Sequence, residues 1–82
     1  MQFQDIYREG TEALQRGDIT HSAACWDELL DLEPEDEVAL QNLAFCHLTL
    51  GNYKETINIC EKGNVLVPGN LEFRRLRAEA AY

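Results

Sequence analysis

Three groups of residues in this sequence are of types that chemistry uses. Cys46, His47 and Cys60 carry two thiols and an imidazole, groups that suit zinc. Neighbouring residues on a helix point about 100° apart, so Cys46 and His47 converge poorly on one ion. Free cysteine commonly behaves as a small buried hydrophobe, so core packing is the expectation for both thiols. Asp27, Glu28, Asp31, Glu33, Glu35, Asp36 and Glu37 crowd one stretch. Such a run reads as a solvated face, because carboxylates stay exposed unless paired. His21, beside Ser22, reads as a surface histidine. A catalytic nucleophile would need a cysteine or serine with a histidine and an orienting acid. No such signature is present, and neither a Gly-rich phosphate loop nor an EF-hand spacing occurs. The residues therefore predict no enzyme, no metal and no cofactor.

The totals narrow the classes further. Eighty-two residues suffice for one small domain. A hydrophobic share of 45% with 27% charged residues belongs to a folded chain rather than a disordered one. The longest uncharged stretch, Val38 to Tyr53, falls short of the ~20 apolar residues that cross a bilayer. Met1 to Asp5 shows no basic region leading into an apolar core, so neither export nor membrane insertion is expected. Net charge is −8. Residues 1–40 hold eleven acids against two bases, and residues 41–82 hold four acids against five bases. A chain of this charge repels phosphates, so nucleic acid is not an expected partner. Three cysteines without CxxC spacing suit free thiols in a reducing cytoplasm.

The elements that position these residues repeat. Gly17-Asp18-Ile19 recurs 34 residues later as Gly51-Asn52-Tyr53, and Leu32-Glu33-Pro34 recurs as Leu66-Val67-Pro68. Asp36 corresponds to Asn70 at the same shift. Between these marks the apolar spacing is helical. Ile6, Gly10, Ala13 and Leu14 share one face, and Ala23, Trp26, Leu29 and Leu30 share the next. Leu40, Leu43, Ala44 and His47 make a third stripe, and Ile57, Cys60 and Leu66 a fourth. Gly17 and Gly51 suit left-handed helix ends, Asp36 and Asn70 suit N-caps, and Pro34 and Pro68 stop the helices before them. The pattern predicts an all-α chain of five helices near 4–16, 20–33, 37–50, 54–66 and 71–82, with no strands. Val38 to Leu50 holds nine apolar residues and no charge, so that helix is buried on two sides or offers a face to a ligand. Val38, Gln41, Asn42, Phe45, Leu48 and Thr49 form its second face.

With these marks the chain resembles the tetratricopeptide repeat family, whose 34-residue unit is a pair of antiparallel helices. Gly10, Gly17, Trp26 and Pro34 stand at matching places in residues 3–36. Leu43, Ala44, Gly51, Tyr53, Ile57 and Pro68 do so in residues 37–70, and 71–82 reads as a capping helix or the start of a third repeat. Glu9, Ser22, Thr56 and Gly63 depart from the pattern in the direction of weaker packing, and Gly63 lowers helix propensity by ~1 kcal/mol. The resemblance implies a right-handed superhelix with a groove lined by the first, third and fifth helices. Carried residue by residue, the groove takes Tyr7, Arg8, Thr11 and Leu14, then Val38, Gln41, Asn42, Phe45 and Leu48, then Arg75 and Leu76, with Glu79 and Tyr82 beside them. Members that bind acidic chaperone tails hold the carboxylates with five lysines, arginines and asparagines. Only Asn42 matches; Tyr7, Thr11, Glu72 and Leu76 stand at the other places, so that ligand is not expected. The resemblance implies a non-enzymatic scaffold or adaptor that binds a peptide or helix. Two other roles fit the same residues: self-association through the end faces, or a small chaperone for an assembled or secreted partner.

Core cysteines make a direct expectation. With reductant and chelator present, the far-ultraviolet circular dichroism should keep its full helical signal. A loss on adding chelator would make Cys46, His47 and Cys60 metal ligands after all.

Overall fold

Two glycines set the turns of the chain. The computed structural model describes residues 2–82, and Met1, the first residue of the expected domain, lies outside the described residues. Gly17 and Gly51 both have φ of 81°, a left-handed conformation that a Cβ would penalise by roughly 1–2 kcal/mol. Each closes a helix in the same way. The Gly17 N–H donates to the Leu14 carbonyl at 3.0 Å, and the Asp18 N–H to that of Ala13 at 2.9 Å. Thirty-four residues on, Gly51 donates to Leu48 at 3.1 Å and Asn52 to His47 at 2.8 Å. The orphan carbonyls of both helix ends are thereby satisfied.

The five helices among the described residues are α1 (Phe3–Arg16), α2 (Ile19–Leu32), α3 (Glu37–Thr49), α4 (Tyr53–Leu66) and α5 (Leu71–Ala81), and no strand accompanies them. Sequence reasoning places every boundary within one residue of these. The N-caps are where expected. The Asp36 carboxylate accepts the Ala39 N–H at 2.8 Å, and the Asn70 side-chain carbonyl accepts that of Glu72 at 2.9 Å. Asp18 also caps α2, accepting the His21 N–H at 3.3 Å, which is why that helix starts at Ile19.

Each helix packs on its successor, and α3 meets α5 as well. Ile6, Trp26, Leu29, Leu43 and Cys46 gather in one core, and Leu40, Ala44, Cys60, Phe73 and Leu76 in a second. Leu30 and Ile59 pack against both, so the two cores are continuous. Three of the departures read as weakening, Ser22, Thr56 and Gly63, turn out to be fitted. Ser22 is fully buried: its hydroxyl donates to the Gly10 carbonyl at 2.8 Å and accepts the Trp26 indole N–H at 2.9 Å. Alanine there would leave a buried indole donor unpaired, at roughly 1–3 kcal/mol. Thr56, also buried, donates to the Asn52 carbonyl at 3.0 Å. Gly63 admits the Phe73 ring, which a Cβ would meet at 2.5 Å.

Gly63→Ala decides between two effects of opposite sign. Helix propensity alone favours alanine by about 1 kcal/mol, whereas overpacking costs about 1–3 kcal/mol. Urea denaturation should show a net loss of stability. Gly69→Ala, where a Cβ meets nothing within 4 Å, should change little. A more stable Gly63→Ala would contradict the packing given for Phe73.

Candidate functional site

Helix α3 divides between a buried face and a partly exposed one. Its sequence carries no charge from Val38 to Thr49. Ala39, Leu40, Leu43, Ala44 and Cys46 are buried against α2, α4 and α5. The remaining face keeps Val38 43% and Phe45 42% exposed, with Gln41, Asn42 and Leu48 half-buried between them. Leu48 leans on the second core. Thr49 is exposed, and its hydroxyl donates to the Phe45 carbonyl at 2.9 Å. An exposed phenylalanine and valine flanking carboxamides offer both apolar contact area and hydrogen-bonding groups able to donate and accept.

The flanking helices supply polar residues. On α1, Tyr7 is 37% exposed and meets Trp26 edge-on, with ring centroids 5.5 Å apart. Thr11 is half-buried and donates to the Tyr7 carbonyl at 2.9 Å. Leu14 is half-buried and packs on the first core. Arg8 is exposed, 3.3 Å from Asp5 and 4.0 Å from Glu12. On α5, Arg75 stands between Glu72 at 2.8 Å and Glu79 at 2.6 Å. Its hydrogen bonds hold the Glu72 carboxyl below the ordinary carboxylate range. Each arginine is thus clamped by acids three residues before it and four after it, on its own helix.

One expected groove residue is corrected. Leu76 is 1% exposed and packs with Leu40, Ala44, Cys60 and Phe73, so it lines no surface. The cause is tertiary: α5 packs on both α3 and α4, which turns Leu76 inward. The helices α3 and α5 approach each other directly, whereas α1 makes no comparable backbone approach to α3. A residue that sequence reasoning treated only as a cap joins α3 to α5. Asn70 donates through its side-chain nitrogen to Gln41 Oε1 at 2.9 Å and to Glu37 Oε2 at 2.6 Å. Its cap spacing gave no sign of that second use.

The candidate ligands of the thiol and imidazole groups are placed apart from this face. Cys25, Cys46 and Cys60 are free and buried. Burial pushes all three thiols up, Cys60 to about 11, so they are protonated near neutrality. Among the described residues no group of three or more His, Cys, Asp or Glu side chains is placed to hold a metal ion. His47 is half-buried rather than part of the inner stripe, and its Nδ1 lies 3.2 Å from the Asn52 amide nitrogen. His21 is exposed, with Nε2 3.3 Å from Glu9 Oε1, tying α2 to α1. A separate cleft of about 420 Å³ is lined by Glu61, Asn64, Arg74, Arg77 and Ala78. No helix among the described residues is long and apolar enough to cross a membrane. No model of a known protein family matches the sequence.

Asn70→Asp separates the two uses of this residue, because aspartate keeps the cap and lacks the donors to Gln41 and Glu37. A cap exchange alone is nearly neutral, whereas losing the interhelix hydrogen bonds and setting a second carboxylate against Glu37 should cost at least about 0.5–1.5 kcal/mol. The urea midpoint reads the difference. An unchanged midpoint would mean that Asn70 contributes only its cap.

Proposed function

We propose that this protein is a non-enzymatic interaction module of the tetratricopeptide type, a scaffold or adaptor that holds a peptide segment or helix on the α1–α3–α5 face. The observation that carries the reading is the uncharged α3 helix, which keeps Phe45 and Val38 more than two-fifths exposed. Large exposed apolar side chains of this kind act as anchors in protein interfaces. Support also comes from the 34-residue spacing of the helix ends, caps and glycine turns. Asn42 and Gln41 suit the backbone of an extended ligand, while Tyr7 adds a rigid amphipathic ring. Arg8 and Arg75 border the apolar centre with their clamping acids. Three free, buried thiols favour a reducing compartment such as the cytoplasm.

The test is a selection of peptides from a displayed library on the wild-type protein, followed by titration against Phe45→Glu. Phe45 is largely outside the core, so circular dichroism of the variant should stay helical. Affinity for the selected peptides should fall at least roughly thirtyfold, the loss of about 2 kcal/mol that defines an interface anchor. Peptides that bind Phe45→Glu as tightly as wild type would place the binding surface elsewhere. An unfolded Phe45→Glu would make Phe45 a core residue and remove the reading.

A further inference from the structure

The internal repeat lets the α4–α5 end of the molecule be compared with its middle. Glu61, Asn64, Arg74, Arg77 and Ala78, which line the cleft, are the 34-residue counterparts of Asp27, Leu30, Leu40, Leu43 and Ala44. In the middle, α4 lies on α3, and Leu40, Leu43 and Ala44 are buried. Leu30 packs there against both cores. At the α4–α5 end the same positions surround an open cleft, so its shape is that of a helix seat. Its chemistry differs. Two guanidinium groups replace two leucines, and Asn64 replaces Leu30 with a buried Oδ1 that accepts no hydrogen bond. Arg77 reaches Glu61 at 3.0 Å, and Arg74 has no carboxylate partner among the described residues. A basic seat with an unfilled acceptor fits a helix that presents acids and a hydrogen-bond donor.

A helix that presents acids lies at the other end of this chain. Asp5, Glu9 and Glu12 are spaced to form one stripe on α1; Arg8 borders Asp5 and Glu12, and His21 borders Glu9, yet the three acid side chains stay 47%, 45% and 57% exposed. Their counterparts on α3 are Ala39, Leu43 and Cys46, all buried where α2 covers them. The covered stripe is apolar and the uncovered one is acidic. We propose that the protein binds a second copy of itself head to tail, the acidic α1 stripe of one protomer resting in the basic α4–α5 cleft of the next. The contact is heterologous, so each added protomer leaves one acidic and one basic end free. The α4–α5 cleft shares no residue with the α1–α3–α5 face, whereas Asp5 and Glu12 also hold Arg8 at the border of that face.

Sedimentation velocity over a range of protein concentrations tests it. At low salt the average mass should rise above the 9.4 kDa monomer as concentration increases, and should fall back toward it near half-molar salt, where exposed pairs are screened. Glu9→Arg with Glu12→Arg, and Arg74→Glu with Arg77→Glu, should each weaken association at least tenfold while remaining helical. An equimolar mixture of the two variants should regain it. Should the exchange at Arg77 cost helicity, Arg74→Glu alone serves, since that side chain has no carboxylate partner to lose. A wild-type monomer at every low-salt concentration overturns the proposal. So does a mixture that stays monomeric, or a variant of either end that associates like wild type.

Discussion

One helix has to serve two cores at once. Helix α3 packs on α2 through Ala39, Leu43 and Cys46, and on α4 and α5 through Leu40 and Ala44. That double burial accounts for its uncharged sequence, since a charge on either side would have to be desolvated without a partner. The remaining face is partly exposed, and there the sequence keeps Val38 and Phe45 apolar although burial does not require it. The same helix thus fixes the fold and presents an exposed apolar face.

The rest of the packing follows from fitting large rings beside a shared helix. Trp26 lies against α1 with Ser22 accepting its indole N–H, and Ser22 in turn donates its own hydroxyl to the Gly10 carbonyl. Phe73 fills the second core over a glycine at position 63. Both cores therefore hold an aromatic side chain, by different devices. The Asn70 side chain then ties the α4–α5 turn to α3, so that cap and tertiary contact are made by one carboxamide.

The legible parts of the molecule are those with local causes. Helix ends at Gly17 and Gly51, caps at Asp36 and Asn70, and the double apolar face of α3 depend on residues within a few positions of one another. Ser22 was within reach: an indole N–H four residues away on the same helix needs an acceptor. Gly63 was not, because its reason is Phe73 on the next helix. Leu76 was misassigned for a related cause. Its helix packs on two others, and repeat position alone does not give the orientation that follows. For the candidate face, the α3 residues were readable from periodicity, whereas the clamped states of Arg8 and Arg75 needed side-chain geometry.

The central claim is that α3 couples both hairpins into one cooperative unit. Native-state hydrogen exchange across a denaturant series measures this amide by amide. The slowest amides of α2, α3 and α4 should converge on one opening free energy with one denaturant slope. Separate isotherms for α1–α2 and for α3–α5, each with its own free energy, would show two independent units and contradict the account.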